Sequence, residues 1–244
     1  MKVSDPHAAG NRAAFDQREY DREFEAHRHR VECIARVIRA HGPFDRGADV
    51  GCFGGVATTF YEAAGIARMD GFDVSPVSVD RMRARGRDAY LWEAGAAPCP
   101  AALGTYDVVI ASEVIEHVVD TEQALAEMKR ILKPGGWLIL TTPNLTFWLS
   151  RLRMLVGKSA ISMPSVSVGF SKESVIDVLH VRIGTLDEWR ALLEHVGFDV
   201  RDVSATSYLQ SYRYPRKWAG WIDRQLSRRP SLGGNIILAA TTRA

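Results

Sequence analysis

The sequence predicts a doubly wound α/β domain, an open and mostly parallel sheet covered by helices on both faces. Three observations predict it. From Pro43 onward, short apolar runs alternate with amphipathic stretches, the pattern of strands joined by crossover helices. The first apolar run ends in glycines, as a buried strand does when it enters a tight turn. The chain has 244 residues, 46% of them hydrophobic, enough to bury a full core without disulfide staples.

The elements follow in order. The first twenty or so residues are polar, with no apolar period, and read as a loose arm. Phe24, His27, Val31, Ile34 and Ile38 then recur at helical spacing until Gly42-Pro43 stops the run, which makes a leading helix. Residues 48–52 form the first predicted strand and 58–64 a helix. Residues 71–74 form a second strand, after which Ser75 as N-cap and Pro76 at the first helical position start a helix. Further strands are predicted at 90–93, 106–111 and 137–142. Between the last two, Ala124, Leu125, Met128, Ile131 and Leu132 share one helix face, and Pro134-Gly135-Gly136 ends that run. Residues 147–156 are apolar and basic, and 159–169 are rich in serine and small residues, as a loop is. Thr185-Leu186-Asp187-Glu188 is a capping box, and its helix turns Leu186, Trp189, Leu192, Leu193 and Val196 inward before Gly197 stops it. Two closing strands are predicted at 198–206 and 235–242.

Composition narrows the function. Lys plus Arg number 31 and Asp plus Glu 29, a net charge of +2, which disfavours a dedicated nucleic-acid binder. No apolar run approaches the ~20 residues of a membrane span. The N-terminal residues have no apolar signal core, so no secretory signal is expected. Cys33, Cys52 and Cys99 are odd in number and lack CxxC spacing, so neither a disulfide framework nor a metal site is expected, and a reducing cytoplasmic setting is.

The residues that carry chemistry start at Asp49-Val50-Gly51-Cys52-Phe53-Gly54-Gly55, where the first strand closes. Glycines let the backbone turn tightly and approach a ligand, and the following helix N-terminus offers N–H groups to an anion. About twenty residues on, Asp73 ends the second strand, where an acid can accept both hydroxyls of a ribose. Its plain alternative is to serve as an N-terminal partner of the next helix. Phe53 breaks the Gly-x-Gly-x-x-Gly of dinucleotide binders, and no phosphate-binding lysine follows, which excludes a P-loop.

These stretches, with GFDVS, TYDVVIASEVIEHVVD, LKPGGWLILTTPN and GTLDEWRALLEHVGFDV, resemble the class I S-adenosylmethionine-dependent methyltransferases over roughly residues 48–200. One position departs from the pattern: Phe53 stands where that family has glycine. The resemblance implies a Rossmann-like methyltransferase domain over residues 43–244, with residues 1–42 as arm and leading helix. It implies seven strands, the last antiparallel, and a substrate-covering insertion after the fifth strand at about 145–184. It implies S-adenosylmethionine as cofactor. Asp49, Gly51, Gly54 and Gly55 would shape the pocket for its methionine part, with Cys52 and Phe53 completing the loop. Asp73 would hold the ribose, Val74 would lie against the adenine and Glu93 near its amine, and Ser112 and Glu113 would line the methyl-donor side.

A hydroxyl acceptor must lose a proton, which calls for a base near neutrality. His117, beyond the fourth strand, and His180, before the capped helix, are the two catalytic candidates; each has a structural alternative, as a helix-start residue and a loop anchor. Arg28 and Arg30 are read as a solvated basic face in preference to a cofactor contact. The apolar and basic segment 147–158 suits a lid, a seat for a bulky or lipid-linked acceptor, or a peripheral membrane contact. The basic and aromatic segment 213–229 reads first as a solvated face, with a surface for a phosphorylated, glycolipid or nucleic-acid acceptor as the alternative. The expected function is methyl transfer to a small-molecule acceptor, to an oxygen of a sugar, quinone or secondary metabolite. The alternatives are an RNA or protein methyltransferase using the basic C-terminal cluster, and a non-catalytic cofactor-binding regulatory protein.

Overall fold

The computed structural model describes residues 20–158, 160, 180–207 and 217–243. The expected N-terminal arm, nearly all of the loop at 159–169, and Arg213 and Arg216 of the basic cluster lie outside the described residues.

The elements are α1 (Tyr20–His41), β1 (Phe44–Val50), α2 (Val56–Gly65), β2 (Ile66–Asp73), α3 (Pro76–Ala84), β3 (Ala89–Leu91), β4 (Tyr106–Ser112), α4 (Thr121–Ile131), β5 (Leu132–Pro143), α5 (Trp148–Leu155), α6 (Leu186–Val196), β6 (Phe198–Thr206), α7 (Lys217–Leu226) and β7 (Asn235–Thr242). One seven-stranded sheet runs β3-β2-β1-β4-β5-β7-β6. All pairings are parallel except those of β7, which is antiparallel to both β5 and β6. The chain order reverses between β1 and β4, and in open α/β sheets the crevice beyond the carboxyl ends at such a point holds the ligand.

Each face of the sheet buries its own helices. Leu125, Met128 and Ile131 of α4 and Trp189 and Leu193 of α6 pack on one side with Val109, Leu138 and Leu238. Ile34 and Ile38 of α1 and Tyr61 of α2 pack on the other with Ile110, Ile139 and Ile237. The leading helix is therefore part of the core.

Two strands start earlier than their apolar residues suggest. β1 begins at Phe44 and ends at Val50, so Cys52 lies beyond it, and β2 begins at Ile66. Charged residues hide both starts. Asp70 is fully buried on β2, where its carboxylate accepts hydrogen bonds from Arg46 Nη2 at 2.7 Å and Tyr106 Oη at 2.8 Å. Paired in this way, polar side chains sit inside a strand without loss of the ladder. Pro134-Gly135-Gly136 follows the end of α4 at Ile131, but lies within β5 instead of in a connecting turn.

The capping box stands as expected from the sequence. Thr185 N–H donates to Glu188 Oε2 at 2.7 Å, and Glu188 N–H donates to Thr185 Oγ1 at 3.2 Å. Gly197 closes the helix at φ 95°. The box anchors α6 just after the strand-like bridge between Asn144 and Gly184, which pins the two ends of the 145–184 segment together. Thr185→Ala should cost about 1 kcal/mol through loss of the cap. In a chain of this size that lowers the melting temperature by about 2–4 °C, measurable by calorimetry.

Candidate active site

The turn after β1 is built on left-handed backbone. Gly51, Gly54 and Gly55 have φ of 72°, 73° and 80°, and Phe53 joins them at 46°. A side chain in that region costs roughly 1–2 kcal/mol, so Phe53 occupies at a price the conformation glycine takes freely. A carboxylate holds it there. Phe53 N–H donates to Asp73 Oδ2 at 2.9 Å, and Ser75 N–H donates to Asp73 Oδ1 at 2.9 Å. Asp73 thus serves as the N-terminal partner of the next helix that its structural alternative describes. It braces the start of α3, and it stands at the carboxyl end of β2 beside the glycine turn. Two N–H groups do not exhaust a carboxylate's roughly four acceptor sites.

The Cys52 side chain turns into the core beneath this turn. Its thiol is buried with Val79, Met82 and Ala89, and burial pushes it well above the usual thiol range. A Cβ on Gly55 would run into the Met82 sulfur, so packing as well as φ requires glycine there. Val74 and Glu93 are half-buried just past β2 and β3. The two strand ends are joined by Trp92 N–H donating to the Asp73 carbonyl at 2.9 Å.

Asp49 lies beneath the turn, 3% exposed, and accepts a hydrogen bond from the buried Thr58 hydroxyl at 2.5 Å. Burial, with the nearby Asp73 charge, pushes its carboxyl up to about 7, against the opposing Thr58 bond.

At the end of β4 the geometry departs from the sequence reading of Arg30. This residue is not on a solvated face. Its side chain is 16% exposed, Nε donates to Ser112 Oγ at 3.1 Å, and Nη1 lies 3.5 Å from Glu113 Oε2. The partners are about eighty residues away in sequence, so helix-face periodicity alone could not reveal them. Glu113 has φ 55°, and its N–H donates to the Thr141 carbonyl at 3.0 Å. Its carboxylate accepts from Thr141 Oγ1 at 2.8 Å and from Asn235 Nδ2. Ser112 and Glu113 therefore join α1, β4, β5 and β7 at the crevice.

The two candidate histidines, far apart in sequence, come together. His117 ends the short 3₁₀ turn Ile115–His117, and its ring centroid lies 4.7 Å from that of His180, tilted by 50°. The backbone fixes this meeting, because the Glu116 carbonyl accepts N–H bonds from Val181 at 2.8 Å and Arg182 at 3.1 Å. Glu116 itself was missed by sequence reasoning. It is fully buried, with Oε1 3.9 Å from His180 Nε2. Neither carboxylate oxygen makes a hydrogen bond of good geometry, although the Thr142 hydroxyl is near. Burial, then the Glu113 charge, pushes Glu116 well above the usual carboxylate range. The available signal was an acid set between the apolar Val114-Ile115 and Val118-Val119.

Residues 48–140 match the family described as a methyltransferase domain. An ubiquinone biosynthesis O-methyltransferase of Burkholderia multivorans is 34% identical over 110 residues, 43% of this chain and 47% of that one. The chain thus spans about half the length of such relatives. An S-adenosylmethionine-dependent methyltransferase of Thermotoga maritima superposes with a TM-score of 0.64 at 22% identity, covering 97% of this chain and 99% of that one. The N-methyltransferase NodS of Bradyrhizobium japonicum, solved with S-adenosyl-L-homocysteine, superposes with a TM-score of 0.59 at 13% identity, covering 98% and 100%. Residues 48–140 are thus similar to a methyltransferase domain, and the whole chain shares the fold of solved S-adenosylmethionine-dependent methyltransferases.

Asp49 sets a pH dependence. An unfolded Asp ionises near ~3.9, and the folded one near 7. A raised acid stabilises the fold fully below the lower value and loses that contribution as pH rises through the higher one. Between pH of about 4 and 8 the protein should lose on the order of a few kcal/mol that an Asp49→Asn variant keeps. Urea unfolding across that range checks it, and parallel curves for the two proteins would remove the assignment.

Proposed function

We propose that the chain transfers a methyl group from S-adenosylmethionine to a small-molecule acceptor, at an oxygen of a sugar, quinone or secondary metabolite. The observation that carries the cofactor part of this reading is the left-handed turn from Gly51 to Gly55 closed by Asp73, at the point where strand order reverses. The cofactor supplies an already activated methyl group. The protein's part is to bind and align, and alignment alone is worth about 7–11 kcal/mol of a barrier. In this reading Asp49, the turn from Gly51 through Cys52 and Phe53 to Gly55, Asp73, Val74, Glu93, Ser112 and Glu113 surround the cofactor. Ser112 and Glu113 do so as parts of the rigid joint with Arg30, Thr141 and Asn235. His117 and His180 stand on the acceptor side, where one of them takes the hydroxyl proton.

The likeness of part of the chain to an ubiquinone biosynthesis O-methyltransferase supports a small-molecule oxygen acceptor. Beside the crevice, α5 exposes Leu152, Met154 and Leu155 next to Arg151 and Arg153, and Trp148 Nε1 donates to Asp223 of α7 at 2.8 Å. That surface supports an acceptor with an apolar, lipid-like part. Among the described residues no helix is long and apolar enough to cross a membrane.

Asp73→Ala should weaken S-adenosylhomocysteine binding by about 2–4 kcal/mol, as the loss of two charge-assisted hydrogen bonds would. Calorimetric titration of the folded variant measures it, and unchanged affinity would sink the cofactor assignment. Release of S-adenosylhomocysteine against a panel of hydroxylated acceptors tests the reaction. Tight cofactor binding without turnover on any of them would favour the regulatory reading.

Replacing the histidine that acts as base by Ala should lower turnover by about 10²–10⁴-fold and leave cofactor affinity nearly unchanged. The other histidine should show a small effect or a loss of stability. Full turnover in both variants would mean that positioning alone carries the reaction.

A further inference from the structure

Glu116, His117 and His180 each present one donor atom, and the three atoms lie within 4.8 Å of one another. Two are imidazole nitrogens and the third is a carboxylate oxygen. We propose that this cluster binds one divalent transition-metal ion of the zinc class. Any role of the ion toward an acceptor rests on the function proposed above; its binding does not.

Glu116 is the first argument. A fully buried carboxylate with no hydrogen bond to either oxygen is costly, because nothing replaces the water it gave up. A cation between it and two imidazoles supplies the missing partner. Glu113, three residues away, has no such vacancy, since Thr141, Asn235 and Arg30 surround its carboxylate. It is excluded from the donor set.

Geometry is the second argument. Two ligands about 2.0–2.1 Å from a common ion stand about 3.0–3.4 Å apart. Glu116 Oε1 and His180 Nε2 are already 3.9 Å apart. Drawing in all three donors takes rotamer changes of about 1–2 Å, well within side-chain reach. The chain supplies the frame independently of any ion. His117 follows Glu116 directly in a 3₁₀ turn, and the Glu116 carbonyl holds the backbone N–H groups of Val181 and Arg182, next to His180.

Donor chemistry selects the ion. Magnesium and calcium prefer oxygen ligands, whereas imidazole with carboxylate suits zinc and its neighbours. Three protein donors leave at least one position of a tetrahedral ion open, and the cluster stands on the acceptor side of the crevice. An oxygen of the acceptor is the class of ligand that position would take.

The test uses the full chain, stripped with a chelator and dialysed. Zn²⁺ is titrated by calorimetry and Co²⁺ by its visible absorption, which reports coordination. One ion per chain is expected, with affinity reduced at least 10-fold in Glu116→Gln and His180→Ala. His195→Ala serves as control, because His195 and Glu122 form an exposed pair at 3.1 Å without a third donor. It should bind as the parent does. Circular dichroism confirms folding, and the two named variants suffice if His117→Ala fails to fold. Absence of saturable binding, equal affinity in Glu116→Gln and His180→Ala, or equal competition by Mg²⁺ would overturn the proposal. None of these readouts involves methyl donor or turnover. Full activity of the histidine variants would therefore remove the base and leave the ion, and a chain that binds no ion leaves the base assignment standing.

Discussion

The carboxylate of Asp73 is the joint on which the carboxyl end of the sheet at β1 and β2 depends. It accepts one N–H from the turn after β1 and one from the start of α3, so three segments share one charge. Phe53 shows how much is asked of it. A phenylalanine at φ 46° persists only where its surroundings over-determine the backbone, and the bond from its N–H to Asp73 is part of that determination. The packing below agrees with the same path. Gly55 rests against Met82 and the Cys52 thiol lies in the same cluster, so α3 is seated by residues of the turn it faces. The glycine turn is a tensioned loop, closed above by hydrogen bonds and below by sulfur-rich packing.

A second joint stands across the crevice and works by a different balance. Glu113 also has a positive φ, but its carboxylate collects donors from a helix and two other strands: Arg30, Thr141 and Asn235. Burying a charge is unfavourable unless it is paired and hydrogen-bonded, and this one is both. α1 is tied to the site by Arg30 as well as by its apolar face, so the helix that precedes the sheet in sequence also closes its carboxyl edge. Unlike Glu113, the neighbouring Glu116 is buried without such donors. Two carboxylates three residues apart thus carry opposite electrostatic states. One is surrounded by donors and the other is buried without them.

Most of the fold was legible because its signals are local. The capping box at Thr185, the Ser75-Pro76 helix start, and the bounds of β6 and β7 each rest on a few adjacent residues whose chemistry admits one backbone solution. The starts of β1 and β2 were not legible, since Arg46 and Asp70 look like loop residues until each supplies the other's partner. The same division runs through the site. The glycine turn and Asp73 could be read as a spacing. The Arg30–Ser112 contact, the Asn235–Glu113 contact and the place of Glu116 between two histidines could not, because each joins residues that only the sheet order brings together.

That division bears on what kind of function each part can carry. A fold of this class hosts many reactions, so the turn and Asp73 are silent on any acceptor. Specificity must come from the groups that the chain adds around that frame. Outside that frame stand the Glu116–His117–His180 cluster and, after β5, the backbone bridge between Asn144 and Gly184 at the start of α6. His180 lies shortly before Gly184, and the Glu116 carbonyl grips the two residues after it. The backbone of a single residue, Glu116, thus ties the turn after β4 to the residues before α6, and its side chain is the least satisfied acid in the described core.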